Sequence, residues 1–209
     1  METMKKAAPL ADVLEIRLDL MERFDLGKII KAAPRPVLVT YRSKKEGGNG
    51  LADPEMHLGY ILTAIREGAD FVDVEASLPI GLREEVFQEK KTKSKIIISK
   101  HINDYTPPSN ELEQIFELFA GTGANIIKII TRANTWEDNF RVLSLIPSAH
   151  NIGLEIIAFC MGPMGKISRV LSTLMGGYLS FASLEEGKES ANGQIPIREM
   201  RRAIEILSA

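Results

Sequence analysis

Cysteine is almost absent: Cys160 is the only one in 209 residues. No intrachain disulfide can form, which fits a reducing compartment. Within its apolar stretch, Cys160 reads as a small core residue. Neither sign of charge dominates, since 26 basic and 28 acidic residues leave a formal net charge of -2. The basic footprint of a nucleic-acid binder is missing, so no nucleic-acid partner is expected. No stretch approaches the ~18 apolar residues that a membrane helix needs. Residues 1–10 carry lysines with no apolar run behind them, unlike a signal peptide. A cytoplasmic protein without a membrane partner is expected. Hydrophobic residues at 44% and charged residues at 26% are ordinary for a chain that buries a sizeable core.

Linkers and nucleotide loops are missing too. There is no Gly-Ser linker, low-complexity tract or break in composition, so residues 1–209 are expected to form a single domain. No G-x-G-x-x-G turn follows a strand-like run. The segment from Met161 through Gly162, Gly165, Lys166, Ser168 and Arg169 has the wrong spacing for a Walker loop. Such a loop has four residues between its glycines and a hydroxyl directly after the lysine. The glycines more readily allow a tight turn that aims Arg169.

Short apolar runs alternate with amphipathic stretches. Strand-like runs occupy 13–18, 37–41, 71–75, 95–99, 125–130, 154–160 and 178–181. Helical spacing links Leu112, Ile115, Phe116 and Phe119; Trp136, Phe140 and Leu143; and Ile197, Met200, Ile204 and Leu207. Asp53 before Pro54, and Asn134, read as N-caps, while Gly68 and Pro147 read as helix stops. Strands alternating with helices imply a parallel sheet with helices outside it. Reactive side chains at or near the ends of several strands favour a β/α barrel over a doubly wound sheet.

Lys128 lies on an apolar strand between Ile126 and Ile130. Burying an ammonium there is costly and favours the neutral amine. A neutral amine attacks a ketone, the first step of Schiff-base catalysis. The bland alternative is a lysine that snorkels out or pairs with an acid. His101 follows a strand-like run and suits proton transfer near neutral pH. His57 and His150 read as surface residues. Asp73 and Glu75 share a strand face; they orient His101 or contact substrate, or form a structural ion pair. With Glu15 and Asp19 they are also conceivable oxygen ligands, but carboxylates at strand ends are too common to identify a metal. Arg17 and Arg42 offer rigid forks for hydroxyls and carboxylates, and Glu15 could orient them.

Taken in order, these motifs resemble those of the type I 3-dehydroquinate dehydratases. The matching pieces are Glu15-Ile16-Arg17-Leu18-Asp19, Arg42 with Glu46-Gly47-Gly48, Asp73-Val74-Glu75, Ser99-Lys100-His101, Ile127-Lys128-Ile129, Gly165-Lys166-Ile167-Ser168-Arg169 and Ser190-Ala191-Asn192-Gly193-Gln194. The resemblance implies a TIM-type (β/α)8 barrel. It makes Lys128 the Schiff-base lysine, His101 the general acid/base and Glu75 its acid partner. Arg169 would bind a carboxylate, and Glu15, Arg17 and Arg42 would read ring hydroxyls. Met161 and Phe181 would pack the ring, and Ser190 and Gln194 belong to the closing loop. Phe159 stands where the family commonly has methionine.

The implied substrate is a small cyclic keto acid, 3-dehydroquinate, with neither metal nor other cofactor. Residues 2–8 resemble the end of the helix that follows the family's first strand, so a barrel lacking that strand, with seven strands visible, is expected. Unpaired edges invite a second chain, which leaves a homodimer open. Two competitors stand beside this reading. One is another Schiff-base barrel lyase or aldolase, which shares Lys128 without the arginine set. The other is a barrel that only binds a small acid.

Overall fold

The computed structural model describes residues 2–89 and 93–208. It divides into two compact units, Met1–Lys100 and His101–Ala209.

In the first unit, α1 (Glu2–Ala7) precedes β1 (Leu14–Arg17), a 3-10 turn (Leu18–Leu20) and α2 (Leu26–Ala32). Then come β2 (Val37–Thr40), a second 3-10 turn (Lys44–Glu46), α3 (Pro54–Arg66), β3 (Phe71–Glu75), α4 (Ile80–Gln88) and β4 (Lys95–His101). The strands pair in parallel and in sequence order: Arg17 beside Thr40, Thr40 beside Asp73, Asp73 beside Ile97, Glu75 beside Ser99. Alternation sorts the side chains onto two faces. Leu14, Ile16, Val37, Val39, Val72, Val74 and Ile96 form a core with Leu58, Ile61 and Ile65 of α3. Glu15, Arg17, Thr40, Asp73, Glu75 and Ser99 share the opposite face, and that division positions the chemistry. Asp53 caps α3 as expected, its side chain accepting from the Met56 N–H at 3.1 Å. Pro54 sits in the first turn, and Gly68, at φ +89°, closes the helix end.

In the second unit, α5 (Ser109–Ala120), β5 (Ile126–Arg132), α6 (Glu137–Leu143), α7 (Leu145–Asn151), β6 (Glu155–Met161), α8 (Lys166–Leu174) and α9 (Ile197–Ser208) follow in turn. β5 and β6 run parallel from Ile126 beside Glu155 to Arg132 beside Met161. Lys128, Ile130, Ile157 and Phe159 therefore face one way. Ile129, Thr131, Ala158 and Cys160 face the other. Cys160 is the core residue its setting suggested. It is fully buried, its Sγ lies 3.3 Å from Thr131 Oγ1, and burial pushes its thiol pKa up.

Three expectations need correction. Among the described residues there are six strands, and residues 178–181 are not one of them. The Tyr178 N–H makes one ladder-like bond, to the Ile156 carbonyl at 2.8 Å. Beyond it, the Ser180 hydroxyl donates to the Arg169 carbonyl at 3.1 Å, and the Phe181 carbonyl accepts from the Arg169 guanidinium rather than from a strand. Asn134 does not cap α6. Instead Asp138 reaches back, its Oδ2 accepting from the N–H groups of Asn134 (2.7 Å) and Thr135 (2.9 Å). That bond, with the Asn139 amide donating to the Met164 carbonyl at 3.1 Å, turns α6 away from its expected face. Asp138, Asn139, Val142 and Leu143 are buried, while Trp136 and Phe140 are 56% and 68% exposed. Pro147 does not end a helix but lies in the first turn of α7, where its missing N–H costs nothing.

Candidate active site

The acidic face of the first unit is organised around Arg42, which follows β2 and is buried. Its Nη1 donates to Glu46 (3.1 Å), Glu75 (3.0 Å) and the Ser99 hydroxyl (3.1 Å); its Nη2 donates to Asp73 (2.7 Å). Burial alone would lower its pKa, but Asp73, Glu75 and Glu46 together hold it above the ordinary arginine value. The expected contact of Arg42 with substrate hydroxyls has to compete with these four partners. Glu75 is fixed from several sides, for it also accepts from the Ser43 N–H (2.8 Å) and the Ser77 hydroxyl (3.2 Å). The segment after Arg42 folds back so closely that a Cβ at Gly48 would lie 2.1 Å from the Arg42 carbonyl oxygen. That contact requires the glycine.

Arg17 is committed through one edge. Its Nε and Nη2 each donate to Asp19 at 2.8 Å, a side-on bidentate pair. Asp19 also accepts from the backbone N–H groups of Arg42 (3.2 Å) and Asn49 (3.0 Å). Burial would raise the Asp19 pKa, but the Arg17 fork and these N–H donors bring it below the usual carboxylate value. Glu15 accepts from the Thr40 hydroxyl at 2.9 Å. The carboxylates that sequence alone left open to a metal are thus directed elsewhere: Asp73 and Glu75 to Arg42, Asp19 to Arg17.

His57 is not a surface residue; it is 3% exposed. It precedes Leu58 on α3 and shares the buried face of Ile61, four residues on. Its ring meets the Tyr41 ring edge-on, centroids 5.1 Å apart at 66°. Its Nε2 has no hydrogen-bond partner among the described residues. Burial lowers its pKa, while the charges of Glu75 and Arg42 act in opposite directions. His150 is exposed, as expected, with Nε2 3.2 Å from the Gly176 carbonyl.

The second unit gathers two cations around two rings. Lys128, on β5, is 3% exposed, and its Nζ lies 4.3 Å from the Phe181 ring centroid. Phe181 and Phe159 lie 6.2 Å apart, and the Arg169 guanidinium carbon sits 4.5 Å from the Phe159 centroid. Arg169, on α8, is buried. It donates to the carbonyls of Phe181 (3.4 Å) and Asn192 (3.2 Å), but has no acid partner among the described residues, and its Nε is unpartnered there. Burial pulls its pKa down to about 10.

Ser190 and Gln194 brace each other, the Gln194 carbonyl accepting from the Ser190 N–H at 2.8 Å and its amide donating to the Ser190 hydroxyl at 3.2 Å. This closes the loop that presents the Asn192 carbonyl to Arg169. Gly193, at φ +80°, passes so near Gly162 that a Cβ would lie 2.5 Å from its carbonyl oxygen. Met161 ends β6 half-buried. His101 ends β4, also half-buried, and the next N–H, of Ile102, donates to the Ile130 carbonyl at 2.8 Å.

Several members of these networks were not singled out from sequence. Strand alternation could have found Thr40 and Ser99, which share a face with Glu15 and Glu75. Asp19 lies in the same quoted motif as its partner Arg17, but the motif alone does not pair them. The Asn192 carbonyl is backbone, and no residue type signals it.

Parallel strands with reactive side chains at their carboxyl ends place the chain among the α/β enzymes. The sequence profile of the type I 3-dehydroquinases matches residues 1–209. The chain is 36% identical over 203 residues to the bifunctional 3-dehydroquinate dehydratase/shikimate dehydrogenase of Arabidopsis thaliana, covering 95% of this chain and 33% of that protein. It is 37% identical over 198 residues to the 3-dehydroquinate dehydratase of Thermococcus gammatolerans, covering 94% and 88% of the two chains. Among solved structures, the type I 3-dehydroquinate dehydratase of Clostridium difficile superimposes with a TM-score of 0.88 at 26% identity, over 99% of this chain and 86% of that one. The chain belongs to the type I 3-dehydroquinase family and shares its TIM-type α/β fold.

Proposed function

We propose that this chain, acting as a single catalytic domain, dehydrates 3-dehydroquinate to 3-dehydroshikimate through an imine on Lys128. Family membership over residues 1–209 supports the reaction. The observation that carries the assignment is the pair of buried cations on one aromatic pair, Lys128 over Phe181 and Arg169 over Phe159. An amine suits a ketone, and a buried guanidinium with no acid partner among the described residues suits a carboxylate. A ring bearing both groups matches that pairing.

The Lys128 amine adds to the ketone carbon, and loss of water gives the imine. The imine nitrogen accepts electrons when His101 removes a proton from the adjacent carbon, leaving an enamine. The enamine pushes its electrons back as the β-hydroxyl leaves with a proton from His101, as water. Hydrolysis then frees the product and Lys128. The motif resemblance supports Glu75 as the acid serving the histidine, and Glu15, Arg17 and Arg42 as readers of ring hydroxyls. It also supports Met161 and Phe181 as ring-packing residues. The bracing of the 190–194 loop supports Ser190 and Gln194 as binding residues acting through its shape.

Borohydride trapping in the presence of 3-dehydroquinate should give one adduct, at Lys128. Lys128→Ala should lose both adduct and turnover. An adduct mapped to Lys100 or Lys166 would overturn the assignment. Product analysis separates this reading from an aldolase sharing the lysine.

A cytoplasmic location belongs to the same proposal, supported by the single buried thiol. So does a homodimer, for which exposed Trp136 and Phe140 offer an apolar patch. Sedimentation velocity of the wild type and Phe140→Ser tests the dimer, which should weaken in the variant.

A further inference from the structure

We infer that Phe159 is the positioning residue for the substrate carboxylate, because its ring face holds the Arg169 guanidinium. The inference rests on the reading of Arg169 given above. Arg169 is 1% exposed, so water does not solvate its charge. Its two carbonyl contacts, at 3.4 and 3.2 Å, lie at or beyond the long end of the N–H···O range. It has no acid partner among the described residues. Among the described residues, the Phe159 ring, 4.5 Å from the guanidinium carbon, also favours the charge. A cation over an aromatic face is drawn to the negative pole of the ring quadrupole, more strongly where water is excluded.

Phe159 is itself held. It is 2% exposed, next to Ile130 in the β5–β6 register, on the strand face that also carries Lys128. Contact with a fixed ring limits how the guanidinium can tilt. Its Nε–H stays unengaged, and one carboxylate can take the Nε–H together with a neighbouring N–H in a bidentate pair. The Lys128 Nζ lies over the neighbouring ring, Phe181. A methionine at position 159 would fill much of the space but would present no quadrupole. This chain has Phe159, and that choice pre-orients the arginine.

The test is steady-state kinetics with 3-dehydroquinate for Phe159→Met, Phe159→Tyr, Arg169→Ala and the Phe159→Met/Arg169→Ala double variant. Phe159→Met should raise KM by ~5- to 30-fold, the range of a partly to fully desolvated cation–π contact, with kcat within about twofold. Phe159→Tyr, which keeps the ring, should stay near wild type. In the Arg169→Ala background, Phe159→Met should add less than about twofold, because no cation remains to be held. Replacing Phe159 by 3,5-difluorophenylalanine keeps shape and fold while weakening the quadrupole, and KM should rise again. An unchanged KM in the fluorinated protein would overturn the role. So would an equal rise for Phe159→Met with and without Arg169, which would mean packing alone. If Arg169→Ala leaves KM unchanged, the carboxylate reading fails first. If it raises KM while the position 159 variants do not, only the role of Phe159 fails.

Discussion

Two arginines are equally buried and oppositely served. Arg42 has three acids and a serine on its guanidinium; Arg169 has two carbonyls and a ring. A cation surrounded by acids supports the fold whatever else it contacts. Removing it leaves carboxylates buried against one another, so Arg42→Ala should cost about 3–5 kcal/mol of stability, read by urea unfolding. A cation with no acid keeps its full attraction for an incoming anion. Arg169→Ala should raise KM for 3-dehydroquinate by roughly 10- to 100-fold, the worth of charge-assisted hydrogen bonds, with little effect on folding. His101 is tested separately. His101→Ala should still allow trapping at Lys128 while turnover falls by at least ~10²-fold, because imine formation and proton transfer rest on different side chains. Near-normal turnover would remove His101 from the mechanism.

At the scale of elements, α3 carries a pH dependence into the first unit. Burial holds the His57 pKa below its ordinary 6.5. The unfolded chain takes up a proton near that value and the folded chain does not. His57 therefore adds to stability above about pH 6.5 and loses that contribution as pH falls below that value. The urea midpoint should drop across this window, and His57→Phe should flatten the drop. A similar slope in wild type and variant would exclude His57 as its source. Asp19 has the same sign in a lower window. Its carboxylate is held below the ordinary 3.8, so its contribution is present above that value and fades as pH falls beneath it. The 190–194 loop gives an element-scale prediction in the second unit. Gly193→Ala forces a side chain into a left-handed backbone and against Gly162, at a cost of about 1–3 kcal/mol of local strain. Asn192 should then shift, and KM should rise as it does when Arg169 is disturbed.

At the scale of the whole molecule, the choice among a dehydratase, another lysine lyase and a simple acid binder is settled by the profile match over residues 1–209 and by a TM-score of 0.88 to a type I dehydratase. The chemistry needs no Lewis acid, because the imine already serves as the electron sink. Asp73 and Glu75 are turned on Arg42, and Asp19 on Arg17. Dialysis against EDTA should therefore leave turnover unchanged. A loss restored by added metal would show that a metal takes part.

By itself the sequence determined what depends on near neighbours. Alternation marked β1 to β6 to within a residue or two, the Asp53-Pro54 cap placed α3, and the isoleucines around Lys128 announced a buried amine. These signals are local because side-chain direction repeats every two residues in a strand and every 3.6 in a helix. Tertiary structure decided which charge meets which. Arg42 and Ser99 are 57 residues apart, Arg42 and Asp73 31, and Thr40 and Glu15 25. Their contacts follow from the lateral register of parallel strands, which no short window of sequence contains. For the same reason the sequence around His57 does not announce its burial, and residues 178–181 read as a strand that the fold does not form. An apolar, aromatic run states a preference for extension. Whether it joins a ladder depends on whether its backbone groups find a strand or, as here, an arginine from α8.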